Sequence, residues 1–317
     1  MKNIKRISKT KKNCRLCNSK NLKNIFDLSK TPIGDDYKKN KIRNEKFYDL
    51  KLNLCKKCKF VQLSNVLDSD TVYGDYLYVT NTSLGLPEHF EKFLKYLLKN
   101  KFLQKKFKVL EIGCNDGTLL KKMNSFSSFV LGVDPAKKLM KNLKTKFEIL
   151  SDDYNLKLSQ KINKKYGKFE LIIANNVIAN IDDLDNIFFS IKNNLSNNGV
   201  FVMETFSLYG LIKNNLFDNI YHEHISYFSV ETLKLFAKKY NLQLVSSLPL
   251  KVKGGSIRFV FKKTNMNIKI DKISKNYMLK EKIFFKDIEN KFSKMKSLNY
   301  KNINIINKYF NKLKINK

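Results

Sequence analysis

Four cysteines fall in two matched pairs, Cys14 and Cys17 in CRLC and Cys55 and Cys58 in CKKC. A CxxC bends into a tight knuckle that turns two thiolates toward one ion. Two knuckles complete a tetrahedral four-thiolate Zn²⁺ sphere. A closed sphere leaves no position for water or substrate, so the spacing predicts a structural metal. Neither pair opens a helix after a strand, which argues against a redox CxxC. Arg15, Lys56 and Lys57 beside the thiols add positive charge that favours thiolate. The metal would substitute for apolar core in a polar N-terminal segment.

The second concentration of chemistry is YHEHISYFS, residues 221–229. It holds two of the three histidines, with a tyrosine before them and a glutamate between. Metal binding, proton transfer and packing are the three readings. HEH is not the helical HExxH zinc pattern, and no third ligand is evident. Ile220, Ile225 and Tyr227 flank the histidines as packing would. Histidine titrates near neutrality, which suits a proton acceptor. His222 reads as structural. Ser229 opens SVETLKLFAKKY, a capping-box start with Thr232 in the glutamate position and Glu231 in the first turn.

These groups need a scaffold, and the middle of the chain supplies its pattern. KVLEIG reads as a buried parallel strand, CNDG as a tight turn and TLLKKM as a helix start. SFVLGVDP is a second strand ending in Asp134. A helix over Ala136–Lys144, a strand FEIL leading to SDDYN, and a fourth strand in KFELIIANNVIANI follow. LDNIFFSIKNNL is a helix and GVFVMETF a fifth strand. Alternation of this kind predicts a doubly wound sheet that binds ligands beyond the carboxyl ends of its strands.

The turn is E-x-G-x-x-x-G, where dinucleotide enzymes carry G-x-G-x-x-G. With an acid after the next strand, it points to S-adenosylmethionine. Gly113 and Gly117 let backbone approach a ligand. Glu111 and the 113–117 backbone, Asn115 included, are placed at the amino-acid end of the cofactor. Asp134 is placed at the ribose, Asp152 at the adenine and Asn175 at the end of the fourth strand. Cys114 reads as a small packing residue. A Rossmann-like sheet without cofactor is the plain alternative.

The order of a Cys₄ module, this sheet, FDNIYHEHISYFS and KGGSIRFVF resembles the sugar C-methyltransferases that act on nucleotide-linked keto-deoxysugars. The resemblance spans nearly the whole chain, and YHEH and IANNVIANI are its most specific parts. It implies a zinc module, an S-adenosylmethionine domain and a C-terminal domain. It also implies methylation of a carbon beside a ketone, through removal of the α-proton and attack of the enolate on the methyl group. Carbon gains a methyl only as a carbanion equivalent, and an amide or hydroxyl near the carbonyl steadies the enolate oxygen. The resemblance makes His224 the base. Tyr221 and Glu223 line the sugar site, Tyr76 contributes from YGDYLYVTNTS, and Asn180 joins the catalytic set. The family has histidine where this chain has Asn180 and again at Lys253. Asn180 cannot titrate, but its amide could donate to the ketone oxygen. The family also continues into a second Rossmann-like half, near where this chain ends in a lysine-rich helix. The resemblance therefore implies a shortened C-terminal domain or a protein partner that supplies that half.

The formal net charge is +34, from 62 basic and 28 acidic residues. Only Arg6, Arg15, Arg43 and Arg258 are arginine, the usual reader of phosphate and guanine. The lysines are scattered, so a compositional bias explains the charge better than a nucleic-acid footprint. No specific nucleic-acid partner is expected. No apolar run is long enough to span a membrane, and the N-terminus lacks an apolar h-region, so the expected compartment is the cytoplasm. The expected fold is α/β, a Rossmann-like methyltransferase sheet with an N-terminal Cys₄ module and a small α+β C-terminal segment. The expected parts are a zinc module over 1–70, a cofactor domain over 71–205 and a substrate-facing segment over 206–317. Methylation of another small molecule or of RNA is the enzyme rival. A non-catalytic cofactor-binding subunit is the other.

Overall fold

The computed structural model describes residues 8–34, 46–68, 71–72, 79–137, 139, 145–264 and 268–315. Tyr76 and most of the helix expected over 136–144 lie outside the described residues.

Strands β1 (Ser8–Thr10), β2 (Leu22–Thr31), β3 (Tyr48–Cys55), β4 (Val61–Leu63) and β5 (Asn65–Leu67) come first. Helix α1 (Leu86–Lys99) leads into β6 (Lys108–Ile112), α2 (Thr118–Met123), β7 (Phe129–Val133) and β8 (Glu148–Leu150). Then come α3 (Leu156–Tyr166), β9 (Phe169–Asn175), α4 (Leu184–Asn194) and β10 (Leu195–Phe206). After them run α5 (Leu208–Lys213), β11 (Ser226–Tyr227), α6 (Val230–Lys238), β12 (Leu242–Leu250) and β13 (Ser256–Lys263). The chain closes with α7 (Lys272–Phe284) and α8 (Ile288–Ile315).

The main sheet has seven strands in the order β12-β13-β10-β9-β6-β7-β8. Strands β6 to β10 run parallel, and β13 is antiparallel to both β10 and β12. Strands buried on both faces read as continuous apolar runs, and Leu171, Ile172, Ile173 and Ala174 of β9 are all fully buried. The chain steps outward from β6 through β7 to β8, then returns to place β9 on the other side of β6. That reversal opens a crevice at the carboxyl ends of β6 and β9, where Gly113 and Asn175 stand.

The strands and helices of the middle region fall where the sequence pattern placed them, apart from the expected helix outside the described residues. The sheet, however, does not end at 205. Strands β12 and β13 complete it, so the expected division falls one residue before the end of β10, inside one sheet. A sequence pattern reports each strand and not its neighbour, which is why the two late antiparallel strands read as a separate segment.

The second sheet, β11-β4-β3-β2, joins the N-terminal segment to the residues that follow YHEH. Strand β3 delivers Cys55, β4 begins just after Cys58, and β11 pairs with β4 through Ser226↔Gln62 and Tyr227↔Val61. Ser229 caps α6 with both reciprocal bonds of a capping box. Helix α8 buries Ile288, Phe292, Met295 and Asn299. The same seam continues as Ile303, Ile306, Phe310 and Leu313, which are 43–56% exposed.

Candidate active site

The Sγ atoms of Cys14, Cys17, Cys55 and Cys58 all lie within 4.8 Å of one another. Cys14 and Cys58 are 3.5 Å apart, and Cys17 and Cys55 are 3.6 Å apart. Zinc–sulfur bonds of about 2.3 Å in a tetrahedron require sulfurs about 3.8 Å apart, so the set fits Zn²⁺. Both knuckles are built alike. Asn18 N–H returns to Cys14 C=O, and Lys59 N–H returns to Cys55 C=O. Asn18 and Lys59 each adopt a positive φ to close the turn. The hydrogen bond from Cys58 holds the Cys14 thiol down at about 5, and the same pairing pushes Cys58 up. The charges expected to favour thiolate are partly directed elsewhere: Arg15 pairs with Asp182 and Lys56 with Glu289.

A cleft of about 520 Å³ opens at the sheet's switch point. Of the sequence candidates, it brings together Glu111, Gly113, Asn115, Asp134, Asn175, Asn180, Tyr221, Glu223 and His224. Gly113 has φ +71, and a Cβ there would meet the Cβ and Cγ2 of Val177 at 2.9 Å. Asn115 is held by two bonds: its N–H donates to Asp134 Oδ2 at 2.8 Å, and its Oδ1 accepts from Thr80 N–H at 2.9 Å. Asp134 Oδ1 accepts from Ala136 N–H at 2.9 Å. Burial nonetheless raises Asp134, and its two backbone donors offset only part of that. Each carboxylate oxygen keeps a lone pair for a further donor. Burial, with Asp134 and Asp116 nearby, pushes Glu111 well above the carboxylate range, and Glu111 Oε2 has no partner. Both polar atoms of the Asn175 side chain and Oδ1 of Asn180 are also buried without partners. Buried polar atoms without a protein partner on a cavity wall are placed to bond water or a ligand.

Two candidates stand elsewhere. Gly117 is not on the cleft wall; it begins α2 at φ +71, and a Cβ there would meet Phe147 at 3.0 Å. Asp152 is exposed, its Oδ1 accepting from Asp153 N–H, and Asp153 lines the cleft in its place. The two sit in consecutive positions of one turn, and composition does not say which faces inward.

His224 Nδ1 lies 2.9 Å from the Asn219 carbonyl, so Nδ1 carries the proton. Nε2 then accepts from the Tyr221 hydroxyl at 3.1 Å. The Phe206 ring centroid is 4.3 Å from that of His224. Burial, with Lys253 adding a smaller push, lowers His224 to about 4. The near-neutral value expected from the sequence therefore does not hold in this cleft. His222 is also buried on the cleft wall, its ring edge-on to Tyr48 at 5.8 Å and both ring nitrogens without a hydrogen-bond partner among the described residues.

The cleft wall carries Glu111, Asp134, Asp153, Asp182, Asp183 and Glu223, against Lys253 as its one lysine among the described residues. A strongly basic chain thus builds an acidic cleft. Such a wall suits a cationic ligand, whose arrival would draw Glu111 back to carboxylate. S-Adenosylmethionine carries a sulfonium and an ammonium, and the bare atoms of Glu111 and Asn175 fit such a group. The sequence reading missed Asp153, Asp182 and Asp183. It also missed His89, whose Nε2 lies 2.6 Å from Glu204 Oε2, while Arg258 Nε lies 2.5 Å from Glu204 Oε1. That network fastens α1, which brings Leu86 and Phe90 to the cleft.

The sheet order, the glycine turn and the acidic cleft define the S-adenosylmethionine-dependent methyltransferases. A methyltransferase-domain family model matches residues 85–247, just over half of the chain, and the chain belongs to that family. A zinc-binding domain model matches residues 14–73. The chain is similar to the C-methyltransferase NovU of Streptomyces niveus, with 27% identity over 250 residues. The match covers 77% of this chain and 59% of NovU, so the chain spans well under two thirds of that relative's length. Among solved structures, it is similar to an S-adenosylmethionine-dependent methyltransferase from Clostridium acetobutylicum ATCC 824 (15% identity, TM-score 0.44, 62% and 96% of the two chains). It is also similar to the N-methyltransferase NodS from Bradyrhizobium japonicum WM9 (12% identity, TM-score 0.42, 56% and 96%). The cofactors are S-adenosylmethionine and Zn²⁺. No described helix is long and apolar enough to cross a membrane.

Gly113→Ala is expected to weaken S-adenosylmethionine binding at least tenfold. A positive φ costs a non-glycine residue about 1–2 kcal/mol, and the Val177 contact adds to it. Gly85→Ala is the control: Gly85 has φ +75, but a Cβ there would meet nothing within 4 Å. Calorimetry reads both. Equal affinity of Gly113→Ala and wild type would show that the turn does not approach the cofactor.

Proposed function

We propose that this chain is an S-adenosylmethionine-dependent C-methyltransferase acting on a carbon beside the ketone of a nucleotide-linked keto-deoxysugar. The observation that carries the reading is a phenol–imidazole pair, Tyr221 and His224, in the same cleft as the Gly113 turn. The likeness to a C-methyltransferase adds support at the level of reaction class.

The cofactor supplies an electrophilic methyl group on a sulfonium. Glu111 and the 113–115 backbone would hold its amino-acid end, Asp134 its ribose and Asp153 its adenine, with Asn175 free to donate and accept beside them. The acceptor's ketone lies against Tyr221. When the Tyr221 hydroxyl turns to that oxygen, it gives up its bond to His224 Nε2. The freed lone pair takes the α-proton, and Tyr221 stabilises the enolate oxygen. The Asn180 amide offers a second donor to the same oxygen, and Glu223 lines the sugar. Tyr76 belongs to this proposal by resemblance alone. A diphosphate finds little cationic wall in the cleft, so the cleft takes the sugar and the nucleotide lies outside it. A protein surface that covers the exposed continuation of the α8 seam is part of the same proposal.

The pH profile tests the base. His224 acts deprotonated, and burial holds it at about 4. Its free-enzyme form is therefore competent throughout neutral pH, and its activity is lost only as pH falls through about 4. The His224-dependent acid limb of kcat/KM is expected there, and a limb near the ordinary histidine value of about 6.5 would contradict the buried pair. Proton removal without transfer gives a second readout. With the demethylated cofactor, S-adenosylhomocysteine, bound in place of the methyl donor, the protein should exchange deuterium into the α-position of an accepted keto-sugar.

A further inference from the structure

Arg15 lies between the two cysteines of the first knuckle, yet its side chain is 0% exposed. Its backbone N–H donates to Gln62 Oε1 at 2.8 Å, and Gln62 Nε2 donates to the Asn13 carbonyl at 3.0 Å. The guanidinium reaches in two directions. Nε is 2.9 Å from Asp182 Oδ1, and Nη1 donates to the Leu63 carbonyl at 2.9 Å. Both partners belong to the cleft's frame. Asp182 lines the cleft, and the next residue, Asp183, caps α4 by accepting from Asn186 N–H at 3.0 Å. Leu63 N–H donates to the Ile225 carbonyl, and Ile225 N–H donates to the Ala179 carbonyl, both at 3.0 Å. One buried cation thus ties the knuckle to the 178–183 turn and, through β4, to the loop that carries Tyr221 and His224.

We propose that Arg15 is a positioning residue that makes the acceptor side of the cleft depend on the zinc ion. The metal fixes Cys14 and Cys17, so the residue between them cannot swing. Its guanidinium then sets where Asp182 and β4 stand. Asp182 records the strength of the tie: burial alone would raise its carboxyl, but Arg15 and Lys11 hold it below its usual range. Asp182 is only partly buried and keeps Lys11 at 3.0 Å, so loss of Arg15 should loosen its segment rather than unfold it, while the buried Leu63 carbonyl loses its donor. The Gly113 turn hangs instead on Val133, Asp134 and Thr80, so the cofactor side should not follow. The inference holds whatever the acceptor is, and its test uses no acceptor.

Amide hydrogen exchange on the full chain, with zinc content measured in parallel, decides it. Arg15→Gln should keep one zinc per chain and wild-type affinity for S-adenosylmethionine. Its 178–183 and 221–227 amides, Ile225 above all, should exchange about tenfold faster or more, while 108–117 stays unchanged. Asp182→Asn should give the same pattern more weakly. Arg15→Lys should recover part of the protection, because an ammonium keeps the charge but not the fork that reaches two partners. Chelation of wild type should open the same two segments together with the knuckles. Wild-type exchange in both segments for Arg15→Gln and Asp182→Asn would overturn the proposal. So would equal acceleration at 108–117, or loss of zinc from Arg15→Gln, since Arg15 would then serve only the fold or the knuckle. If Arg15→Gln does not fold, Asp182→Asn and Arg15→Lys carry the test alone.

Discussion

Cys55→Ser protein is expected to purify with far less than one zinc per chain and to melt well below wild type. Cys55 is fully buried at the end of β3, and the residues around it, Leu54, Phe60 and Val61, are fully buried too. Losing one of four thiolates opens the coordination sphere at the point where β3 turns into β4. Structural zinc binding is worth about 10–16 kcal/mol in isolated zinc-finger peptides. Retaining even half of that here means a loss of several kcal/mol. In a chain of this size that lowers Tm by roughly 10 °C or more. The loss does not stay local, because β4 pairs with β11 directly after the YHEH loop. Metal analysis and a thermal melt check the expectation. Unchanged zinc content, or a melt indistinguishable from wild type, would remove the metal from the account of this fold.

His224→Asn is expected to lower kcat by about 10²–10⁴, the usual contribution of a positioned base. Asparagine keeps a similar size and polarity but cannot take a proton. The Kd for S-adenosylmethionine should barely change, because the 221–225 loop is not part of the 113–117 turn. Tyr221→Phe should cost about 10²–10³ through the lost donor to the enolate oxygen. On the proposed mechanism both groups act on the same enolisation step, so the double variant should lose less than the product of the two single losses. Single-turnover rates on an accepted keto-sugar separate these effects from binding. A His224→Asn enzyme that keeps more than about a tenth of wild-type kcat would return His224 to the packing role its contact with Phe206 also allows.

What could be read from the sequence was local. A CxxC makes a knuckle from five or six residues, and both knuckles close as their spacing requires. A buried parallel strand announces itself by an unbroken apolar run, so β6, β7, β9 and β10 stood out one by one. The Gly113 turn was legible because strand, tight turn and helix follow each other within one stretch. What stayed hidden depended on residues far apart. Arg15 meets Asp182 across 167 positions, and beside two cysteines it looked like no more than a local positive charge. The basicity of His224 depends on Phe206, Asn219 and the walls that exclude water, none of which its own segment reveals. Asp153 and Asp152 differ by one step in a turn, below the reach of a pattern argument. His89 sits on a helix with no motif, and only the packing of α1 brings it to Glu204.

If this cleft places a methyl group on carbon, the position of the transferred group will show it. The protein would be incubated with S-adenosylmethionine labelled with ¹³C in its methyl group and with a nucleotide-linked keto-deoxysugar. The product would then be examined by carbon-13 NMR. The account predicts a labelled methyl with the shift of a carbon-bound group, one-bond coupled to the ring carbon beside the ketone when the sugar is also labelled. His224→Asn should reduce that signal and Gly85→Ala should leave it. A labelled methyl with the shift of an oxygen- or nitrogen-bound group would contradict the account.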